Sequence, residues 1–189
     1  MKNFTEIAFT NDVKNIQTEF GSRKNYVRME QNPAPTKLPD EVKSFIEESE
    51  VFYQATVATN GWPYVQHRGG PKGMLKVLSD NQIGYADFRG NKQYLSVGNI
   101  QSNNKVSLII MDYPRKARLK IWARAEIVTK SDNTELLEQL RNPEYKTPVE
   151  RGIILTIEAF DWNCPQHIKP RFTEQEVAEW FAPHQQKIT

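Results

Sequence analysis

"VFYQATVATNGWPYVQH", residues 51–67, decides the fold. Two β-rich runs flank a turn that holds Asn60 and Gly61, the residue types that a tight hairpin connection selects. The pattern repeats downstream. "GMLKVLS" (73–79) and "QIGYADF" (82–88), separated by Asp80 and Asn81, predict a second hairpin. "KVSLIIMDY" (105–113) and "RLKIWARAEIV" (118–128) are joined through Pro114, and "GIILTIEAF" (152–160) is a continuous apolar run of strand length.

Helical signals are short and sit between these runs. Pro39, Asp40 and Glu41 open a helix with Val42, Phe45 and Ile46 at helical spacing, and its acidic first turn suits the helix dipole. A further short helix is expected within residues 91–103, carried by Tyr94, Leu95, Val97 and Ile100. Asp132 with Glu135, and Thr173 with Glu176, have capping-box spacing. The first thirty residues are polar and weakly patterned, and "QNPAPTKLP" (31–39) reads as a proline-stiffened connector. An arm over residues 1–38 and one domain over residues 39–189 are expected. About six hairpin-connected strands interrupted by short helices predict a mainly β fold, an antiparallel β-barrel with peripheral helices, over a doubly wound sheet.

Composition narrows the function. The chain has 189 residues, enough for a sizeable core without disulfides or a structural metal. Cys164 is the only cysteine, no apolar run is long enough to span a bilayer, and the opening "MKNFTEIAFTNDVKN" lacks the apolar centre of an export signal. A cytoplasmic protein with no membrane partner is expected. Net charge is only +2, from 25 basic and 23 acidic residues, which disfavours a nucleic-acid partner held by bulk electrostatics. Any anion site must be local.

Four clusters carry candidate chemistry. Arg89, Asn91, Lys92 and Gln93, with Gly90 among them, form a donor-rich turn ahead of a helix, the arrangement that holds phosphate; the same residues also describe a solvated turn. "VQHRGGPKG" (65–73) ends a strand in Gln66, His67 and Arg68, and Gly69 and Gly70 then admit either a planar ligand or a bend. In "RLKIWARA", Arg118, Lys120, Trp122 and Arg124 alternate onto one face and Leu119, Ile121, Ala123 and Ala125 onto the other. Near the C-terminus, "DWNCPQHIKPRF" (161–172) gathers Trp162, Cys164, His167 and Arg171 in a proline-framed loop. With His67 and His184 the only other histidines, a closed metal site there is not expected.

Taken in order, "GWPYVQHRGGPKGMLKVL", "YADFRGNKQYLSVGNI", "MDYPRKARLKIWARAEIV" and "WNCPQHIKPRF" resemble the FMN-binding split-barrel family related to pyridoxamine 5′-phosphate oxidase, over most of the chain. The resemblance implies a six-stranded antiparallel split barrel and a homodimer with one FMN in each of two clefts at the subunit interface. It implies that Gln66, His67, Arg68, Gly69 and Gly70 run along the flavin ring and ribityl chain. Where the oxidase has an Arg-Lys pair gripping the phosphate, this chain reads Asp87, Phe88, Arg89, Gly90, Asn91, Lys92, so the lysine is kept and asparagine replaces the arginine. Arg89, Arg68 or Gln93 are then the candidates for the missing donor. Arg118 and Lys120 match the strand that approaches the ring, where cations would stabilise reduced flavin. The C-terminal loop matches only loosely, so pyridoxamine phosphate is not the expected substrate. The implied activity is an FMN-dependent oxidoreductase acting on another small molecule; a flavin carrier or sensor is the alternative.

Overall fold

The computed structural model describes residues 1–185, with side chains described through residue 179. His184 therefore lies outside the described side chains. Seven strands form one antiparallel sheet: β1 (Val51–Val57), β2 (Pro63–Gly69), β3 (Leu75–Val77), β4 (Gln82–Phe88), β5 (Lys105–Asp112), β6 (Ala117–Val128) and β7 (Val149–Trp162). Their order is β2-β1-β5-β6-β7-β4-β3. The count is one above the six expected. The shortest, β3, lies at the edge within the run read as the first half of the second hairpin, three residues that pair only with β4.

The β1–β2 hairpin forms as read. Gly61 takes φ +87°, which its lack of a Cβ permits, and the Asn60 side chain accepts from the Trp62 amide. The sheet then curls on itself, as the twist of long strands requires. Inward residues of β1, β4, β5, β6 and β7, among them Phe52, Ile83, Ile110, Ile121 and Leu155, build one core. The rings of Phe52 on β1 and Tyr85 on β4 meet at 5.2 Å although three strands separate β1 from β4 in the order. The fold is thus a mainly β split barrel with peripheral helices.

Helix α4 (Asp40–Glu47) buries Val42 and Ile46 in that core. Helix α5 (Leu95–Ser102) docks through Asn99, which donates to Thr56 of β1, and Ser96, which donates to Gln66 of β2. Helix α6 (Thr134–Leu140) lies on the outer face of β4 and β7, and its Leu140 forms a second small core with Ala86, Val128 and Ile154. The cap of α6 is Asn133, which accepts from the Leu136 amide; Asp132 instead accepts from Thr129, so the expected box is shifted by one residue. Thr173 and Glu176 form the reciprocal box as spaced, opening α7 (Glu174–Gln185).

The N-terminal arm, polar and weakly patterned in sequence, carries regular structure. It holds α1 (Thr5–Ala8), α2 (Asn11–Glu19) and α3 (Arg23–Glu30). Buried Asn3 ties α1 to the end of α3 by donating to the Met29 and Asn32 carbonyls. The arm docks on the sheet where Phe4 stacks on Trp122 and the Lys2 amide donates to the Glu158 carbonyl. Such short helices carry weak periodic signals because tertiary contacts, more than propensity, hold them.

Candidate functional site

Edge strand β2 alternates between exposed and half-buried positions. That alternation sends Gln66 and Arg68 into the curl and leaves Val65 and His67 on the opposite face. Arg68 then crosses to β4 and pairs with Asp87; their side chains are only 14% and 9% exposed. Asp87 also faces Arg151, whose Nε is 3.4 Å away. Arg151 pairs with Glu150, and the Arg89 Nε lies 3.4 Å from the same carboxylate. The guanidinium of Arg68 lies 5.1 Å over the Tyr85 ring, and that of Arg151 lies 4.9 Å over the Tyr94 ring.

Above this network is a pocket of about 90 Å³. Gln66, Arg68, Asp87, Asn91, Lys92 and Gln93 all line it, together with Glu150 and the first turn of α5. The turn that shapes it has two left-handed residues, Lys92 at φ +61° and Tyr94 at φ +55°, while Gly90 needs no such conformation. Each such residue costs on the order of 1–3 kcal/mol, and this kind of strain collects where a backbone is shaped for a ligand. Among the described residues Lys92 is exposed and has no carboxylate partner, so it is the cation free to meet one.

The electrostatics follow from the pairing. Burial disfavours the Arg68 charge, but Tyr85 and Asp87 more than offset it and hold the guanidinium above its ordinary pKa. Its Nε is buried without a partner. Arg68 and Lys92 line the pocket with Asp87 and Glu150, while Arg89 and Arg151, outside the lining, pair with those two carboxylates and offset their charge, so the network as a whole sets four cations against two carboxylates. A phosphate monoester at neutral pH carries roughly −1.5 to −2. Size, donors and charge therefore fit a phosphoryl group.

The other expected residues lie elsewhere. His67 packs edge-on against Tyr53, outside the curl. Gly69 and Gly70 turn the chain toward α4, and the space a side chain on Gly70 would fill is taken by Met74, 2.9 Å from the ideal Cβ. Arg89 lies at the rim, tied to Glu150. Lys120 is on the outer face of the sheet, lining a groove of about 180 Å³ with Tyr53, Val65, Ile109 and Trp122. Arg118, on the same strand, donates to the Cys164 carbonyl at 3.2 Å. Cys164 and His167 are exposed in the C-terminal loop. Among the described residues no group of three or more His, Cys, Asp or Glu side chains is placed to hold a metal ion.

Glu150, Arg151 and Ser96 were not singled out by the sequence, and Tyr94 was read only as part of a helix. The only available signal was that "VERG" (149–152) puts two charges at the mouth of an apolar strand; the Asp87–Arg151 pairing depends on register.

A curled, all-antiparallel sheet with a pocket between an edge strand and the β4–α5 turn defines the protein as a split barrel. A family model described as pyridoxamine 5′-phosphate oxidase matches residues 38–158, and the chain belongs to that family. Among solved structures, it is similar to a Lactobacillus delbrueckii protein assigned as a pyridoxamine 5′-phosphate oxidase, at 26% identity and TM-score 0.50, covering 67% of this chain and 95% of that one. It is similar in fold to HupZ of Group A Streptococcus, at 21% identity and TM-score 0.52, covering 66% of this chain and 98% of that one. No curated protein gives a significant match. No helix among the described residues is long and apolar enough to cross a membrane.

Proposed function

We propose that the chain binds FMN, with the phosphate in the pocket between β2 and the β4–α5 turn, and acts as an FMN-dependent oxidoreductase on a small molecule. The observation that carries the reading is a phosphate-sized cavity lined by Lys92, which has no carboxylate partner among the described residues, and by Arg68, whose buried Nε has none either. Lys92 and the strained turn would hold the phosphate oxygens, and Arg68, fixed by Asp87, would supply the donor that Asn91 cannot. Micromolar binding needs about 8 kcal/mol. Two or three charge-assisted hydrogen bonds at roughly 1.5–3 kcal/mol each supply much of that.

When bound, the flavin would supply hydride or single-electron transfer. The chain's own part is to bind and orient it. A cavity of about 90 Å³ is far below the roughly 300–1,000 Å³ typical of whole-ligand pockets, so the ring must extend beyond it along the β2 edge. That fits a homodimer whose second copy covers the outer faces of β2, β1, β5 and β6, where Val65 of β2 is 61% and Val57 of β1 36% exposed. Lys120 on that face is then the candidate cation for stabilising reduced flavin.

A carrier or sensor is the second reading, favoured by one observation: no histidine among the described residues lines the pocket, since His67 faces away. Titration with FMN and with riboflavin, followed by flavin fluorescence, tests the binding. FMN is expected to bind at least tenfold more tightly than riboflavin. Equal affinity removes the phosphate pocket from the reading, and no binding of either removes the flavin. Steady consumption of a reduced nicotinamide by the loaded protein separates the enzyme from the carrier.

A further inference from the structure

A second cavity, remote in character from the anion pocket, opens where the N-terminal helices lie beside the end of β7. It measures about 820 Å³, within the range of small-molecule sites. Its walls are strongly aromatic: Phe4, Phe9, Phe20, Tyr26 and Trp162 all line it. Phe4 and Phe9 meet edge-on at 5.7 Å and Phe9 and Tyr26 at 5.4 Å, so these three rings form one fixed wall. The opposite wall is open, with Phe20 77% and Ile16 55% exposed, an apolar exposure that ordinary surfaces avoid.

The charges are one-sided. Asp12 and Asp161 are the charged residues lining the cleft, and among the described residues no lysine or arginine lines it. Two basic side chains of the arm, Lys14 and Arg23, are committed to Glu30. Burial pushes the Asp161 carboxyl above the usual carboxylate value, against the pull of Lys120, its partner across the β6–β7 ladder. Lys120 itself lines the separate groove beside Trp122. An anion entering the cleft would meet two carboxylates and the negative faces of the rings. A cation would meet the same groups with the opposite sign of energy.

We infer that this cleft is a binding site for a hydrophobic organic cation, an amine with an aromatic or alkyl body whose ammonium group lies among the rings beside Asp12 and Asp161. The inference does not depend on the flavin reading, because the two cavities share no lining residue. It also assigns a role to the arm, which supplies most of the cleft's lining.

The test uses the full chain and three probes of similar size: phenethylammonium, the neutral phenethyl alcohol and the anionic 3-phenylpropionate. Binding is followed by amide chemical shifts and by calorimetry. The ammonium probe is expected to bind at least tenfold more tightly than the alcohol, with 3-phenylpropionate weakest and the shifts centred on residues 4–29 and 161–164. Asp161→Asn is expected to weaken the ammonium probe severalfold and leave the alcohol unchanged. Asp12→Asn, at an exposed position, makes the same test should the first variant fail to fold. Equal affinity for the three probes, or shifts centred elsewhere, overturns the proposal. So does self-association that Phe20→Glu abolishes while none of the probes binds, because the occupant is then a second copy of the chain.

Discussion

Arg151 lies directly across the β4–β7 ladder from Asp87, its Nε 3.4 Å from the carboxylate that Arg68 reaches from the far edge of the sheet. One carboxylate thereby ties β2, β4 and β7 together and closes the curl. Asp87→Asn leaves two mostly buried guanidiniums facing a neutral amide. Breaking a buried pair from one side costs roughly 3–5 kcal/mol, so a clear fall in the denaturant midpoint is expected. A midpoint like that of the unaltered protein would mean that the apolar core alone holds the curl.

Lys92→Gln tests the anion site with little structural risk, because the side chain is exposed and unpaired among the described residues. A lost charge-assisted contact is worth about 1.5–3 kcal/mol, which predicts a ten- to hundredfold weaker affinity for FMN. Riboflavin affinity is expected to stay put. An equal loss for both ligands would place Lys92 against the ring instead of the phosphate.

Tyr85 gives a pH dependence. Burial pushes its hydroxyl up to about 12, with Asp87 adding to the shift and Arg68 opposing it. In the unfolded chain the group ionises near its ordinary value of 10, so above that pH the unfolded state loses a proton that the folded state keeps. The contribution is intact below pH 10 and is lost as pH rises from 10 to about 12, on the order of 3 kcal/mol in all. Denaturant midpoints across this window are expected to fall, and the fall should be shallower in Tyr85→Phe. Identical slopes in the two proteins would assign the alkaline loss to other groups.

Gly152→Ala is expected to destabilise by about 1–2 kcal/mol through overpacking. A Cβ there would stand 2.7 Å from Leu140 Cδ1, while Gly84, on the neighbouring strand, already leaves the other Leu140 methyl 2.9 Å from its own ideal Cβ. Leu140 cannot retreat from one glycine without meeting the other. Paired with Leu140→Ala, the substitution should be less costly than the two separate losses added together, and simple additivity in the cycle would show that helix α6 shifts to make room.

Val65→Glu tests the homodimer. Val65 is 61% exposed in the single chain, so the change costs little in folding, yet it would place a charge in the middle of the proposed interface. Sedimentation is expected to change from dimer to monomer, with FMN affinity falling in parallel. A dimer that persists would place the interface on another face.

Local features were legible because they depend on neighbours in sequence. The Asn60–Gly61 turn, the Thr173–Glu176 box and the alternation of Arg118 to Ala125 each follow from a few adjacent residues. The donor-rich turn after β4 was visible for the same reason. Its conformation was not: the left-handed residues are Lys92 and Tyr94, set where the chain turns into the docked α5. The three helices of the arm escaped notice because they are short and held by Asn3 and by the stacking of Phe4 on Trp122.

By itself, the sequence determined the strands, most of the helices between them, the hairpins and the stock of donors, since turn chemistry and side-chain periodicity act over a few residues. Only the tertiary structure decided which donors meet. The curl brings Arg68 of the edge strand to Asp87, and the β4–β7 register brings Arg151 to the same carboxylate. Period-two alternation then sends Arg68 inward and His67 outward. Register and closure arise from contacts between residues far apart in the chain, and those contacts gather scattered charges into one network beside the pocket.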